Sequence, residues 1–514
     1  MGNVSMEKKC ENPFARFANF FRRAFHAYNL RLSKVYSPNV AALTGTALVL
    51  AMLAFILFIP PFVGVADDGS LTGILQGTGL GYRRQDLAYP TGAYFVRVYL
   101  HSLYQPSGLS VHRSLIRFAM WVDDQFTHDN LFDIRFLAGL YTLLYLPAVY
   151  VALRGIAARV KVAAEATFLV ILGALFFGDA AATAYFNSLY PDALWQICMI
   201  YCVGFSMALQ HKDARWTHAG LFGFLVSGCA LTLTESHCAA AGLVFTMYFA
   251  RMIMMEDRTA QTSVIAGVCA VVMLASSFVS ATAGSTRFTE ASKLHAMTNG
   301  VLLRSNNPEK TLEEFGIEPR FETLTDMSSY SDYPYALAGE PEIQRSFLSR
   351  YSLGSIIFHY VRHPLAFAGL LEMGVRASFH PMRGYVGNYE SGLQYPERMT
   401  NGQLTFYSNF KANSLPQTLG FLAILGGVYW ALFRKRRGLK AHDIKFTFRE
   451  RQIMLDTFLM LAMTGIAHLS AVICLSGTAE LERYQMLFGV CIDGMLLLFI
   501  AEILHRLKIL SEEE

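Results

Sequence analysis

Two adjacent carboxylates, Asp67 and Asp68, stand where the first long apolar stretch of the chain ends. The run Ile59-Pro-Pro-Phe-Val-Gly-Val-Ala leads into them, and Gly69 follows. The two prolines restrict the backbone here and direct both acids to the boundary of the apolar segment. A partly desolvated carboxylate beside a second one has a raised proton affinity, which suits a general base. The spacing alone leaves a solvated acid pair at a helix end equally open.

A second group of polar and aromatic side chains lies between two later apolar stretches. Its members represent several hydrogen-bonding types: Asp179, Tyr185, Asn187, Ser188 and Asp192. Tyrosine rings can pack on the face of a sugar, while amide, hydroxyl and carboxylate groups hydrogen-bond to its hydroxyls. These residues are therefore candidates for substrate binding. The alternative is an interfacial aromatic belt with turn-forming residues.

Two further turns carry charge at the ends of apolar stretches. Glu235 interrupts the apolar run 219–250, and Glu482 and Arg483 precede the last apolar stretch. Arg483 offers a cation for a phosphate group, as do Arg83 and Arg84 after the first stretch. A simple hairpin tip at Glu235 and an internally paired helix cap at Arg483 are the competing interpretations.

The histidines and the eight cysteines lack a spacing that fixes a metal geometry. The histidines of the two outer loops are His101, His112, His128, His295, His359, His363 and His380. The cysteines lie mostly inside apolar stretches, where they act as small core hydrophobes. We therefore expect neither a disulfide framework nor a histidine metal site. The sequence identifies no certain cofactor, and a divalent cation on the acids stays open.

The elements that position these residues are membrane-spanning helices. Hydrophobic residues make up 53% of the chain, charged residues only 16%, and the mean hydropathy is +0.33, which is typical of a membrane protein. Stretches of about 17–25 apolar residues, long enough to cross a ~30 Å hydrocarbon layer, recur about ten times. They lie at 41–63, 134–152, 162–178, 192–209, 216–233, 237–254, 263–281, 418–433, 453–475 and 485–505. The sequence predicts an all-α polytopic membrane protein.

Lysine and arginine collect in alternate connections, which predicts the orientation of the chain. If the basic segment before 41 is cytoplasmic, alternation puts every basic connection on the cytoplasmic side, including the cluster 434–437. Both termini are then cytoplasmic, and the candidate acids lie at the outer boundary. The net charge of +4 is explained by these connections, so we expect no nucleic-acid partner.

The same pattern divides the chain into four regions. Residues 1–40 form a cytoplasmic amphipathic segment, and 41–281 form a transmembrane core with a first outer loop at 64–133. Residues 282–417 are a large extracytoplasmic loop region, and 418–514 contain the last transmembrane helices and a cytoplasmic tail. In the first loop, apolar residues at helical spacing near 115–126 predict an interfacial helix. In the second, Asn307-Pro308 starts a short helix that Gly316 ends.

Several of these segments together resemble the GT-C class of integral-membrane glycosyltransferases, and more narrowly a bacterial branch associated with surface-layer and cell-envelope glycans. The resemblance runs over most of the chain. The matching pieces are Ile59 to Gly69, Leu131 to Phe136, Asp179 with Tyr185 to Tyr190, His363-Pro364, Gly387 to Glu390, and Glu482-Arg483-Tyr484.

The resemblance implies an enzyme of the bacterial cytoplasmic membrane. It would take a sugar from a polyprenyl-phosphate donor on the outer face, among membrane lipids, and transfer it to a cell-envelope glycan or lipid-linked acceptor. A first-loop carboxylate would be the base, which here is Asp67 or Asp68. The chain departs from the pattern at Ser70, where a further acid is expected, and at Asp192, where a Glu is expected. The choice of base therefore stays open.

Other functions fit parts of the same sequence. A flippase or transporter of lipid-linked glycans predicts charges near mid-membrane and paired broken helices, and Asp493 and His468 are the clearest mid-span polar residues. A polysaccharide polymerase or ligase would also act on lipid-linked glycans with large outer loops. A purely structural or assembly role would leave the boundary acids replaceable.

Overall fold

The computed structural model describes residues 36–83, 92–102, 110–160, 162–210, 214–254, 259–285, 290–327, 337–384, 386–434, 441–479 and 481–507. The predicted amphipathic segment lies outside the described residues up to position 35. Arg84 and most of the basic cluster after 434 also lie outside them.

The described chain is almost entirely helical. The helices of its first half are α1 (Pro38–Leu53), α2 (Thr72–Thr78), α3 (Val111–Thr127), α4 (Ile134–Ala157), α5 (Ala163–Phe177), α6 (Ala180–Thr183), α7 (Asp192–Ala208), α8 (Ala214–Thr232), α9 (Ala239–Ile253) and α10 (Ala260–Ser285). Those of its second half are α11 (Glu290–Ala296), α12 (Pro308–Glu314), α13 (Pro341–Ser346), α14 (Leu353–Arg362), α15 (Pro364–Ser378), α16 (Phe406–Ser414), α17 (Leu419–Arg434), α18 (Ala441–Ser476), α19 (Leu481–Tyr484) and α20 (Met486–Leu507).

Each predicted apolar stretch contains one of these helices, and the all-α polytopic fold is confirmed. Five helical segments are long and apolar enough to cross a membrane: Pro38–Phe58, Ile134–Ala157, Ala260–Thr282, Glu450–Ser476 and Met486–Leu504. Two bent pairs raise the number to seven if each counts as one span. They are Ala163–Phe177 with Ala180–Asn187, bent by 41°, and Phe406–Ser414 with Leu419–Phe433, bent by 105°. The count of ten stays a prediction.

Small residues let the bundle helices pack closely, as is common in membrane proteins. A Cβ atom added at Gly45 of α1 would lie 2.6 Å from Val170 of α5, and one at Gly204 of α7 would lie 2.9 Å from the backbone nitrogen of Ala152 in α4. The packing of α1, α4, α5 and α7 therefore depends on glycine at these positions.

One short sheet stands in the connection between α1 and α4, where the sequence predicted only helix. Its antiparallel strands β1 (Leu80–Tyr82), β2 (Val98–His101) and β3 (Leu131–Asp133) are ordered β1-β2-β3, with Leu80 opposite His101 and Val98 opposite Asp133. Helix α3 of the same connection confirms the helix predicted near 115–126. Its Phe118, Trp121 and Phe126 side chains are exposed.

The connections between helices gather at two ends of the bundle. At one end, Asn187 Nδ2 donates to the Val63 carbonyl at 2.9 Å, and Ser110 Oγ donates to the Thr234 carbonyl at 3.0 Å. We call this the site end, and it contains residues 58–70, 178–192, 233–238, 380–384, 386–405, 477–479 and 481–485. These are connections that the charge pattern assigns to one side of the membrane.

Residues 36–37, 157–160 and the chain near Glu450 and Glu502 meet at the opposite end, which we call the basic end. There the Tyr36 hydroxyl donates to the Ala157 carbonyl at 2.9 Å. Arg159 pairs with Glu450 at 3.1 Å and with Glu502 at 3.2 Å. The separation of the two sets agrees with the predicted alternation, while the assignment of one end to the outside stays a prediction.

Candidate functional site

A buried ion pair lies at the centre of the site end. Asp68 Oδ2 is 2.7 Å from Arg383 Nη1, and the two side chains are 9% and 0% exposed. The Tyr190 hydroxyl accepts from the Asp68 backbone N–H at 3.0 Å and donates to Asp68 Oδ1 at 2.9 Å. The Ser70 hydroxyl also donates to Oδ1. Asp68 is therefore a carboxylate whose two oxygens are both engaged.

Arg383 connects three separate segments of the chain. Besides Asp68, its Nε donates to the Glu482 carbonyl and its Nη2 to the Arg483 carbonyl, both at 3.1 Å. Its guanidinium carbon lies 4.6 Å from the centre of the Tyr190 ring. The planar guanidinium thus uses its fixed fork of donors to hold the turn before α20 against the exit of the first span.

Opposing effects act on the pKa of Asp68. Burial alone would raise this pKa, because desolvation disfavours the charged carboxylate. The positive charge of Arg383, the Ser70 hydrogen bond, the charge of Arg483 and the Tyr190 hydrogen bond together outweigh burial, and the pKa lies below its ordinary value. A carboxylate held in this way is a weak proton acceptor.

Asp67 has different partners. Its Oδ1 accepts from the backbone N–H groups of Gly69 at 2.8 Å and Leu71 at 3.1 Å, and its Oδ2 accepts from the Tyr82 hydroxyl. Burial, followed by the negative charge of Asp67, raises the pKa of Tyr82, so the phenol keeps its proton and donates. No ion pair joins Asp67 to an arginine or lysine among the described residues. Its oxygens retain lone pairs for one more donor.

Asp192 is another acid of the site end, and its carboxylate is more isolated than those of Asp67 and Asp68. It is the first residue of α7, it is 1% exposed, and both carboxylate oxygens lack a hydrogen-bond partner within the described part of the chain. Burial most strongly disfavours its charged form, the charges of Arg383 and Arg483 favour that form, and the charge of Glu235 opposes it. Its position at a helix N-terminus also favours negative charge.

Aromatic side chains form one wall beside Asp192. The Trp195 ring lies 5.6 Å from the rings of His237 and His468, and the His237 ring lies 4.1 Å from that of Tyr484. The Trp195 indole N–H and the His237 Nε2 atom are buried without a hydrogen-bond partner among the described residues. These groups are suited to a polar ligand with hydroxyl groups.

Two groups of side chains in the described residues have ligand atoms close enough to hold a metal ion. His237, Cys238 and His468 form a buried group at the site end, and Glu314, His359 and His363 form a second group outside it. In each group the ligand atoms lie within 4.8 Å of one another. Neither group was recognised from the sequence, because each contains residues from two distant segments.

Three residues predicted to bind substrate make hydrogen bonds to the backbone, and substrate binding by them stays a prediction. Asp179 caps α6 through Ala181 N and also accepts from the Ser408 backbone N–H at 2.9 Å. Asn187 Nδ2 donates to the carbonyls of Leu57 and Val63. Ser188 Oγ accepts from the Tyr190 backbone N–H at 3.1 Å. Within the described chain no hydrogen bond joins these three side chains to the side chains of Asp68 or Arg383.

The other predicted residues lie closer to the ion pair. The Tyr185 hydroxyl donates to the Pro381 carbonyl at 3.2 Å, and its ring lies 5.7 Å from the Arg383 guanidinium. Glu482 contributes its backbone carbonyl to Arg383 while its side chain is exposed. Glu235 Oε2 is 3.4 Å from His237 Nε2. Tyr185 and Glu482 therefore contact Arg383, whereas Glu235 contacts His237 of the aromatic wall.

Sequence reasoning missed Arg383, the central cation of the cluster. It is 315 positions from Asp68 in the chain and lies in an irregular segment. One signal was available, since the stretch 377–389 around it contains no acidic residue. An arginine without local counter-ions in a long connection is a candidate partner for a distant carboxylate.

Comparison with known families identifies most of the chain. The family model described as "YfdI N-terminal transmembrane domain" matches residues 27–514. No curated protein and no solved structure matches. The chain therefore belongs to the YfdI N-terminal transmembrane domain family, as a multi-pass membrane protein.

Proposed function

We propose that this member of the YfdI N-terminal transmembrane domain family is a membrane glycosyltransferase of the GT-C type. It would transfer a sugar from a polyprenyl-phosphate donor to a cell-envelope glycan or lipid-linked acceptor, on the extracytoplasmic face of the bacterial cytoplasmic membrane. The observation that supports this proposal is the acid pair directly after the first span. There Asp68 is held by the buried Arg383, and Asp67 has no cationic partner among the described residues.

Asp67 is the proposed general base. Its carboxylate takes the proton of an acceptor hydroxyl as that oxygen bonds to the anomeric carbon of the donor sugar. The bond from the anomeric carbon to the phosphate oxygen breaks, and the electron pair leaves with the polyprenyl phosphate. Tyr82 holds Asp67 Oδ2 in place, which reduces the reorganisation that the reaction requires.

The cations of the cluster have separate roles in this proposal. Arg383 is fully buried, and each of its three nitrogens donates, to Asp68 or to one of two carbonyls, so it positions Asp68 and the turn before α20. Arg483 is only partly buried, and its guanidinium lies 4.8 Å from the Tyr484 ring. Arg483 is therefore the candidate to stabilise charge on the leaving phosphate.

The aromatic wall supplies the sugar-binding surface. Trp195, His237 and Tyr484 pack against one another, and the Trp195 Nε1 and His237 Nε2 atoms are buried within this cluster. Rings of this kind bind the apolar face of a sugar, while the polar atoms select among its hydroxyls. A divalent ion at His237, Cys238 and His468 would attract the donor phosphate, and these three residues fit one by donor type.

The test is a transfer assay with purified protein in lipid nanodiscs. A panel of polyprenyl-phosphate sugars is offered with envelope-glycan acceptors, and the product is followed by mass spectrometry. Protein-dependent transfer from one donor is the expected result. The proposal fails if no donor in the panel is consumed by protein whose folding is established by a cooperative melt.

A transporter of lipid-linked glycans is the second candidate, and two features favour it. Lys411 and Asp493 form a 2.7 Å ion pair within the helical body, with Lys411 1% exposed. The two bent helix pairs are also of the kind that transporters use. Protein in vesicles that moves a labelled lipid-linked glycan across the bilayer, without consuming it, would replace the first proposal with this one.

A further inference from the structure

The helices α12 and α14 bring together a set of side chains outside the site end. Helix α14 begins at a reciprocal capping box, in which the Ser352 backbone N–H donates to Ser355 Oγ at 2.9 Å and the Ser355 N–H donates to Ser352 Oγ at 3.4 Å. His359 lies in its last turn, and His363 is its C-cap. Residues four apart share one helix face, and the two imidazole rings are 4.4 Å apart.

The third side chain comes from the end of α12. Asn307 caps this helix by accepting from the Lys310 N–H at 3.0 Å, and Gly316 ends it in the left-handed region with φ of +68°. The Phe315 ring then packs 5.6 Å from the His359 ring. Packing of Phe315 on α14 therefore places the neighbouring Glu314 beside both histidines.

We propose that Glu314, His359 and His363 form a binding site for a Zn²⁺ ion that joins α12 to α14. The ligand atoms of the three side chains lie within 4.8 Å of one another. Around tetrahedral zinc, with bonds of about 2.0–2.1 Å, donor atoms are separated by roughly 3.3 Å. Small side-chain rotations therefore bring all three into the coordination sphere.

The three side chains are available as ligands. Within the described part of the chain, none of them is engaged by a hydrogen bond or an ion pair, and the contacts of the histidines are with rings. His359 is 9% exposed, while Glu314 and His363 are exposed. One ligand is thus fixed by the protein interior, and the other two face solvent, from which an ion can reach them.

The donor set favours zinc over magnesium or calcium. Two imidazole nitrogens with one carboxylate suit a borderline metal, whereas magnesium and calcium prefer oxygen ligands throughout. Three protein ligands leave a fourth position for water. The bound ion would connect two helices of the large connection between α10 and α16, and so stabilise this part of the chain.

The proposal is independent of the proposed transfer reaction and departs from the sequence-level expectation of no histidine metal site. The spacing of four residues between His359 and His363 was visible in the sequence. That spacing indicates a metal site only together with Glu314, which is 45 positions before His359 in the sequence and becomes its neighbour through folding.

The test uses the full chain in detergent, stripped with a chelator and titrated with ZnCl₂. Bound zinc is measured by elemental analysis after gel filtration, and the unfolding midpoint is measured with and without zinc. Both exposed ligands are tested through His363→Gln and Glu314→Gln, which avoid disturbing the buried His359. The matched control is His128→Gln, an exposed histidine at the end of α3 outside both candidate groups.

We expect the wild type and His128→Gln to bind zinc at this site and to melt at a higher temperature when it is present. His363→Gln should weaken binding by more than the roughly 10–100-fold that loss of an outer-shell partner costs. Zinc content and midpoint shift that are unchanged in both ligand variants would overturn the proposal. Replacement of zinc by Co²⁺ separates the two groups, because a thiolate charge-transfer band would assign the ion to Cys238 instead.

Discussion

Each end of the bundle contains an arginine that joins distant segments of the chain, and the two arginines differ in what they join. Arg159 at the basic end pairs with Glu450 and Glu502, both carried by long helices. Arg383 at the site end comes from an irregular segment and binds Asp68, itself from a connection, together with two backbone carbonyls. Arg159 therefore links helices to one another, whereas Arg383 links the connections between helices.

The difference shows where the chain has kept polar groups available. At the site end a further carboxylate, Asp192, lies in the field of Arg383 and Arg483 without a hydrogen bond in the described residues. Buried polar groups are normally paired, and an unpaired one costs roughly 1–3 kcal/mol. The unpaired Asp192 oxygens near Arg383 and Arg483 therefore suggest a site that binds a ligand. The ion pairs of Arg159 suggest a role in stability alone.

Of the changes considered, replacement of each arginine by glutamine should give the largest difference in the free energy of unfolding between the two ends. Arg383→Gln leaves Asp68 buried without its partner and should lower the free energy of unfolding by about 3–5 kcal/mol. Arg159→Gln should cost less, because the Arg159 side chain is 15% exposed and that of Glu450 is 25% exposed. Unfolding in detergent with increasing dodecyl sulfate measures both, and equal losses would contradict the comparison.

A smaller loss of stability is expected from replacement of Asn187, because its uncharged side chain links two connections through hydrogen bonds alone. Asn187→Ala removes two hydrogen bonds, to the carbonyls of Leu57 and Val63, and should cost about 1–3 kcal/mol. Asn413→Ala is the matched control, because its single hydrogen bond to the Asn409 carbonyl is exposed. The same denaturation series should show almost no shift for the control, and similar shifts for both variants would contradict the structural role of Asn187.

The pH dependence of stability should identify the state of Asp68. Its pKa is lower in the folded protein than in the unfolded chain, so its contribution is present above the unfolded pKa and is lost as pH falls through the folded value. The stability difference between wild type and Asp68→Asn should therefore be constant near neutrality and shrink below about pH 4. A difference that grows on acidification would contradict the ion pair.

The smallest change in stability is expected at Asp192. Asp192→Asn is nearly isosteric and removes no hydrogen bond among the described residues, so it should shift the unfolding midpoint less than Asp68→Asn does. If Asp192 belongs to the ligand-binding wall, Asp192→Asn should nevertheless lower the transfer activity strongly. A loss of stability as large as that of Asp68→Asn would assign Asp192 to the scaffold.

Hydropathy and charge alternation predicted much of the fold, because each apolar stretch must form a helix to satisfy its own backbone in lipid. Sequence also placed Asp67, Asp68 and Asp192 at one end. The sequence could not assign different roles to these three acids, because their roles depend on contacts with Arg383 and Tyr82 that form only on folding. The hydrogen bonds from the side chains of Asp179 and Asn187 to the backbone could not be predicted from the sequence either, because any residue type can supply a backbone partner.

The strands and the bent helices show the same limit. Strand β1 has three residues, too few for a periodic pattern. The 105° bend between α16 and α17 lies where the sequence predicted the loop region 282–417 to end and the span 418–433 to begin, and the sequence did not predict α16 as a helix. In both places tertiary contacts decide the local structure.

The transfer rate of Asp67→Asn, compared with that of Asp68→Asn in the same nanodiscs, tests the account most directly. Donor binding is measured in parallel, so that loss of chemistry is distinguished from loss of the site. The account predicts that Asp67→Asn keeps its unfolding midpoint and donor affinity while transfer falls by roughly 10²–10⁴-fold. Asp68→Asn should lose stability together with activity. Full transfer by folded Asp67→Asn protein would contradict the assignment of the base.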